Sequence, residues 1–308
     1  MNILRILKSD RTCRALTGLD INAFNRLLEN FTWVYDQEVR KYHKERCKQR
    51  AFGGGKKGAF PTHAEKLFLV LFFLKVYPTE EVMGIFFNIA ASTSGMRLRK
   101  FRPIVEKVLG RLEILPKRRI SSIDELLTEF PELKEIYIDG IERPVQRKKN
   151  QKQSNKNYSG KKKRTGRKNI VVSGKGRTGN KREILVLSPT RNGRRHDKKI
   201  TDKDQLYQKI PEEIESYQDT GLQGIQHQHK NSFIPKKKTK NKKLTDEEKW
   251  HNTLISSIRT TVEHSNWGLK RLNSVMHTFR HKISNSDDQF IYLASGIWNF
   301  HLLHLKQQ

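Results

Sequence analysis

Cysteine is nearly absent from this chain of 308 residues: only Cys13 and Cys47 occur, 34 positions apart, with no CxxC pair. That excludes a disulfide framework, argues against a cysteine-based zinc site and fits a reducing, intracellular compartment. Long apolar runs are missing too. The longest, Leu67 to Val76, is interrupted by Lys75 and is about half the roughly 20 residues a membrane span needs. The opening stretch Met1 to Lys8 is too short in apolar residues for a signal peptide and has no small-residue cleavage site. No membrane partner is expected. Neither GxSxG nor a P-loop occurs, which removes the commonest serine-hydrolase and NTPase signatures. Acidic residues are scarce: 32 Asp and Glu stand against 62 Lys and Arg, a formal net charge of +30, with a pI near 10.2. An excess of this size implies a polyanionic partner.

Hydrophobic residues make up only 35% of the chain, but they cluster in periodic segments, so ordered cores are expected. Residues 1–115 read as helical, with Phe24, Leu27, Leu28 and Phe31 recurring at helical spacing. Gly53-Gly54-Gly55-Lys56-Lys57-Gly58 is a flexible basic connector. Thr62 and Glu65 have capping-box spacing for a helix to about Val76, which Pro78 ends. Thr79-Glu80-Glu81 opens a short helix to about Asn88, and Ser92-Thr93-Ser94 caps another that carries Arg97, Arg99, Lys100 and Arg102. A short helix, a tight turn and a basic helix fit a helix-turn-helix laid in a DNA groove, and equally a helical bundle with a solvated basic face.

After a linker at 116–133, the character changes. Residues 134–308 begin with the short strand Glu135 to Asp139, and β-rich runs follow at Asn169 to Ser173 and Glu183 to Ser188. Sixteen Lys and Arg with no acid lie between Arg143 and Arg182, a run that is either a solvated loop or a surface for phosphates. A helix from Asp197 to about Lys209, the strand-like Tyr217-Gln218-Asp219 and a second basic loop, Lys236 to Lys243, come next. Thr245 with Glu248 caps a long helix through about Met276, and an amphipathic helix starts near Asp287.

Two motif-like features carry no chemistry. Gly174 to Gly179 matches GxGxxG but leads into a strand, so it reads as a hairpin turn rather than a dinucleotide fingerprint. His227-Gln228-His229 lacks further metal ligands nearby and reads as a polar loop. The informative residues are acids in a basic chain. Asp139 and Asp219 each end a strand-like segment, where a turn-forming Asp is the bland alternative. Glu263 shares a helix face with Arg259, Trp267 and Lys270, where the bland alternative is an ion-pair stripe. Taken together, three carboxylates suit phosphodiester chemistry, in which two Mg²⁺ or Mn²⁺ ions about 3.5 to 4 Å apart neutralise the entering and leaving oxygens.

The ordered pieces Tyr137-Ile138-Asp139-Gly140-Ile141-Glu142-Arg143-Pro144, Tyr158 to Lys163, Leu187-Ser188-Pro189-Thr190 with His196-Asp197, Gln218 to Gly224, and Ser257 to His264 with Leu269-Lys270-Arg271 span nearly the whole chain. This pattern resembles insertion-sequence transposases of the DDE superfamily, in the group that includes the Harbinger-like elements. The resemblance implies an α/β, ribonuclease H-like catalytic domain at 134–308, a mixed sheet flanked by helices, preceded by an all-α helix-turn-helix domain. It implies that Asp139, Asp219 and Glu263 are the catalytic metal ligands, with Mg²⁺ or Mn²⁺ as cofactor. Arg97, Arg99, Lys100, Arg102, Lys161, Lys162, Lys163, Arg259, Lys270 and Arg271 become the expected contacts to double-stranded DNA, both transposon ends and target. Metal-dependent strand cleavage and strand transfer would follow, in the cytoplasm and associated with the nucleoid, and a homodimer assembled on DNA is compatible with this. Ile141, Arg194-Arg195 and Leu222 depart from the family pattern, and Asp197 competes with Asp219 for the second ligand position. The rivals are a non-catalytic or decayed transposase-derived DNA-binding protein, and an RNA-binding protein, although no RNP-like aromatic strand motif is present.

Overall fold

The computed structural model describes residues 3–46, 58–147, 149–160, 162–238, 243–281, 283 and 285–305. The connector residues Gly53 to Lys57, Lys161, and residues 239–242 of the second basic loop lie outside the described residues. The chain forms two compact units, one of Met1–Leu115 with Arg271–Ser274 and His304–Gln308, the other of Pro116–Lys270 with Val275–Leu303. Among the described residues, no helix is long and apolar enough to cross a membrane.

The first unit contains α1 (Ile3–Ile6), α2 (Asp10–Thr17), α3 (Ile21–Arg46), α4 (His63–Val76), α5 (Glu80–Phe87) and α6 (Ala91–Arg111). The longest apolar run of the chain is its central helix: every side chain from Leu67 to Leu74 on α4 is 2% exposed or less. A helix that is apolar all round can be stable in water only when covered on all sides. Its start is the expected capping box, with Glu65 N–H donating to Thr62 Oγ1 at 3.2 Å and Thr62 N–H to Glu65 Oε2 at 2.8 Å. Thr79 caps α5, and Asn88 ends it in the left-handed region at φ 52°. The Ser92-Thr93-Ser94 cap is not what forms. The N-cap of α6 is Ala90 without a side-chain bond, and the three hydroxyl residues lie inside the first turn, where Ser94 Oγ donates back to the Ala91 and Glu80 carbonyls.

The second unit opens with α7 (Ile123–Glu129) and continues through β1 (Glu135–Pro144), α8 (Gln151–Asn157), β2 (Tyr158–Ser159), β3 (Arg164–Gly174), β4 (Glu183–Leu187), β5 (Arg191–Asn192), α9 (Asp197–Lys203), β6 (Glu215–Gln218) and β7 (Ser232–Phe233). The helices α10 (Asp246–Lys270), α11 (Asn273–Met276) and α12 (Ser286–Leu303) complete the chain. In the sheet, β1 is central, antiparallel to β3 and parallel to β6. Outward from these, β4 runs antiparallel to β3 and β7 parallel to β6, giving the path β4-β3-β1-β6-β7. This mixed sheet with helices against it, following a helical region, is the ribonuclease H-like arrangement. The GxGxxG segment is the turn between β3 and β4.

Three readings of this region change. The strand bearing Asp139 does not stop there: β1 continues to Pro144, with the β3 ladder running unbroken through Gly140↔Ile170. The long helix expected to reach Met276 ends at Lys270. Within the first unit the next residue, Arg271, has its carbonyl taken by Lys75 Nζ at 2.8 Å and its guanidinium donating to the Gly18 carbonyl at 2.7 Å. The basic run from Arg143 is not one solvated loop, since it holds α8, β2 and all of β3.

Alternation along β1 divides its side chains between two layers. Ile136 and Ile138 pack with Ile170, Val172, Leu185, Ile200 and neighbours in the main core, while Tyr137 packs with Tyr217 and Val262 of α10 in a second one. On that second face, Tyr137, Tyr217 and Phe233 lie at matched register on β1, β6 and β7 and stack in succession, with ring centroids 5.7 and 5.0 Å apart. The stack braces three strands directly beneath α10.

Candidate active site

Asp139 follows Tyr137 by two residues on β1, and Asp219 follows Tyr217 by two residues, one residue past the end of β6. A strand repeats its facing every second residue, so the Asp139 carboxylate takes the face that packs α10, and Asp219 extends the backbone of β6 by one residue. The parallel ladder pairs Ile138 with Gln218, so the two acids are the next residues at equivalent positions on neighbouring strands. Each is half-buried, and each is held by the backbone that follows it: Asp139 Oδ1 accepts from Gly140 N–H and Asp219 Oδ1 from Thr220 N–H, both at 2.7 Å.

The helix above carries Glu263, the third acid expected from the sequence. Ile255, Val262, Asn266 and Leu269 are buried on α10 at helical spacing, and this stripe faces the sheet. Asn266 meets the first acid directly, its Nδ2 donating to Asp139 Oδ2 at 2.8 Å. Glu263 stands one turn before Asn266, on the solvent-exposed rim of the stripe. Sequence reasoning passed over Asn266. Its signal was an amide residue, a poor helix former, at a core-facing position four residues after Val262.

Asp197 sits elsewhere. It is the first residue of α9, which packs by Ile200 into the main core on the opposite face of the sheet. A Cβ on Gly140 would lie 2.9 to 3.0 Å from the Asp197 carboxylate atoms. Gly140 is therefore a mid-strand close approach, and the turn reading of Asp139-Gly140 does not hold. The same face carries a charge chain: Lys168 Nζ is 3.1 Å from Asp197 Oδ1 and 4.0 Å from Glu142 Oε2, and Glu142 Oε2 also accepts from Ser159 Oγ at 3.0 Å. Asp197 is thus neutralised by a lysine on the side away from α10.

Among the described residues, no group of three His, Cys, Asp or Glu side chains is gathered as a ready-made metal cage. Carboxylates with no cation between them repel. The donors present around Asp139 are carboxylate and amide oxygens, the hard donors that Mg²⁺ and Mn²⁺ take, and Asn266 Oδ1 is buried without a hydrogen-bond partner among the described residues. The donor chemistry fits a divalent cation. The histidine pair is confirmed as structural only at His229, which is buried with Nδ1 3.0 Å from Ser232 Oγ and Nε2 2.9 Å from the Pro211 carbonyl.

The expected DNA-contact residues divide by what already occupies them. Arg99 and Lys100 are exposed on α6, Arg99 loosely paired with Glu80 at 3.9 Å, whereas Arg97 and Arg102 are half-buried and burial lowers the Arg102 pKa against the pull of Glu106. Lys162, Lys163 and Lys270 are exposed. Arg271 is bound to the Gly18 carbonyl, and burial lowers its pKa. Arg259 lies on α10 with its side chain outside the described residues. Much of the basic run is spent internally: Arg143 is 2% exposed and bonded to the Asp287 carbonyl, Asn169 Oδ1 and Thr190 Oγ1, with burial pulling its pKa down to about 10. Arg167 meets Asp287, Lys175 meets Glu132, Arg177 meets Glu129 and Lys181 meets Glu135.

With this geometry in view, residues 138–299, more than half of the chain, match the DDE superfamily endonuclease family. The chain belongs to that family. A relative from Microchaete diplosiphon, the probable transposase for insertion sequence element IS702, is 28% identical over 239 residues, covering 77% of this chain and 80% of the relative. No solved structure matches the chain. This DDE superfamily member is thus of the insertion-sequence transposase kind, and the matched region runs from the middle of β1 into α12.

Proposed function

We propose that this protein is a DNA transposase that cleaves and joins strands at the ends of its insertion sequence, with Asp139, Asp219 and Glu263 holding Mg²⁺ or Mn²⁺. The observation that carries the reading is the placement of Asp139 and Asp219 at equivalent positions of neighbouring parallel strands, on the face covered by the helix that bears Glu263. Ions bound there would neutralise the charge that develops on the entering and leaving oxygens of a phosphodiester. The chain's own part is positioning. The tyrosine stack and the ladders fix the two strand-borne carboxylates, the amides of Gly140 and Thr220 orient them, and α10 presents Glu263 from above. The pairing of Asp197 with Lys168 on the other face supports Asp219 as the second ligand.

In the same proposal, region 134–308 carries the chemistry and region 1–115 recognises the element ends. There α5, the turn after Asn88 and α6 act as a helix-turn-helix, with Arg99 and Lys100 facing the duplex. Lys162, Lys163 and Lys270 supply phosphate contacts. The test is cleavage of labelled DNA carrying the element's ends, with Mg²⁺, Mn²⁺ or chelator, comparing wild type with Asp139→Ala, Asp219→Ala, Glu263→Ala and Asp197→Ala. Metal-dependent cleavage should vanish in the first three while end binding persists, and Asp197→Ala should still cut. Loss with Asp197→Ala but not Asp219→Ala would move the second ligand. A wild type that binds ends and never cuts under any metal would sink the catalytic reading.

A further inference from the structure

Asn266 is 5% exposed, and its amide is in an unusual position for a buried polar group. A carboxylate offers only acceptors, so Asn266 must turn its NH₂ toward Asp139, and Nδ2 donates to Oδ2 at 2.8 Å. That choice leaves Asn266 Oδ1 buried with no hydrogen-bond partner among the described residues. A leucine of similar size would fill the same place on the apolar stripe without an unpaired oxygen. An orphaned buried acceptor asks for a partner that arrives from outside the chain.

Its surroundings define that partner. The oxygen belongs to an amide that touches Asp139, three residues after Glu263 on the same helix. A divalent cation on these carboxylates keeps part of its water shell, above all if it is Mg²⁺, and such a water is a strong donor. We propose that Asn266 is a positioning residue of the cation site, its Nδ2 holding the Asp139 carboxylate in place and its Oδ1 accepting a hydrogen bond from the ion's hydration water. The inference rests on the reading of Asp139 as a metal ligand.

Mn²⁺ binding to the full-length, DNA-free protein, followed through the free-ion paramagnetic resonance signal, tests it alongside thermal unfolding and the Mg²⁺ dependence of DNA cleavage. Asn266→Leu removes both the donor and the orphan acceptor. Its thermal midpoint should stay level or rise, while the Mn²⁺ dissociation constant increases about 10- to 100-fold, the usual penalty for losing the partner of a metal ligand. The half-saturating Mg²⁺ concentration for cleavage should increase with it, and the rate at saturating Mg²⁺ should change less. Asn266→Asp keeps the shape but sets a second carboxylate against Asp139, so the metal-free protein should melt lower and Mn²⁺ should raise the midpoint by more than in wild type. Wild-type Mn²⁺ affinity in Asn266→Leu, or an Asn266→Asp midpoint no more responsive to Mn²⁺ than wild type, overturns the role of Asn266. Asp139→Ala separates the two readings: if it loses Mn²⁺ while Asn266→Leu does not, only this inference fails, and if it too binds normally, the metal-ligand reading of Asp139 fails first.

Discussion

The two faces of β1 meet acids of the same kind in different settings. On the α10 face, Asp139 is oriented by an amide and a backbone N–H, and Asp219, just past the end of the neighbouring strand, by the N–H of Thr220. On the α9 face, one residue further along the strand, Asp197 lies against Gly140, with Lys168 between it and Glu142. Asp197 is paired with a lysine of the chain, whereas the donors named here on Asp139 and Asp219 are neutral N–H groups. Sequence order already favours Asp219 over its competitor Asp197, and the structure adds that Asp197 is paired with Lys168.

The largest effect should come from the α10 face. Asp219→Asn should cut metal-dependent cleavage by about a thousandfold or more, since several kcal/mol of charge stabilisation is withdrawn from the reacting phosphate. Asp197→Asn should stay within about tenfold of wild type, because the reacting groups lie across the sheet. Equal losses in single-turnover assays would erase the contrast between the faces. Next comes the packing of the α9 face. Gly140→Ala places a methyl 2.9 to 3.0 Å from the Asp197 carboxylate and should cost about 1–3 kcal/mol in urea unfolding. In an Asp197→Ala background most of that cost should disappear, and a cost unchanged by the second substitution would show that the two residues do not meet.

Lys168→Met tests the charge chain itself. Lys168 and Asp197 side chains are 14% and 27% exposed, so stranding Asp197 and Glu142 should cost about 1–2 kcal/mol, less than for a fully buried pair. Cleavage at saturating Mg²⁺ should survive it. The smallest effect should come from a charge pair on neither acid cluster. Burial would raise the Asp288 pKa, but Thr190 and Arg118 outweigh it and hold the carboxyl below its ordinary 3.8. A depressed acid stabilises the fold above its unfolded pKa and loses that contribution as pH falls through the folded one. Asp288→Asn should therefore cost about 1 kcal/mol at pH 7. Its unfolding curve should converge with wild type as pH drops below 3.8, and a difference that persists in acid would mean the loss is one of shape.

Much of the fold could be read locally. The apolar run of α4, the Thr62/Glu65 box and the Thr245/Glu248 cap, whose two hydrogen bonds measure 3.0 and 3.2 Å, are signals carried by adjacent residues. So is the hairpin at Gly174 to Gly179. Asp139 was legible as a strand-borne acid, yet its strand was read too short. Asp139-Gly140 looks like a turn until the distant β3 partners are known. Nor could the basic run reveal its own neutralisation, because the acids that answer it, Glu129, Glu132, Glu135 and Asp287, lie outside it in sequence.

By itself the amino-acid sequence determined the helical and strand segments, the excess of positive charge and the ordered motifs that the DDE superfamily shares, since periodicity, capping and composition are properties of neighbouring residues. Only the tertiary structure decided that Gly140 sits in mid-strand, which lysine meets Asp197 and which asparagine meets Asp139. Those outcomes depend on strand register and helix docking, where a shift of one residue turns each side chain to the opposite face.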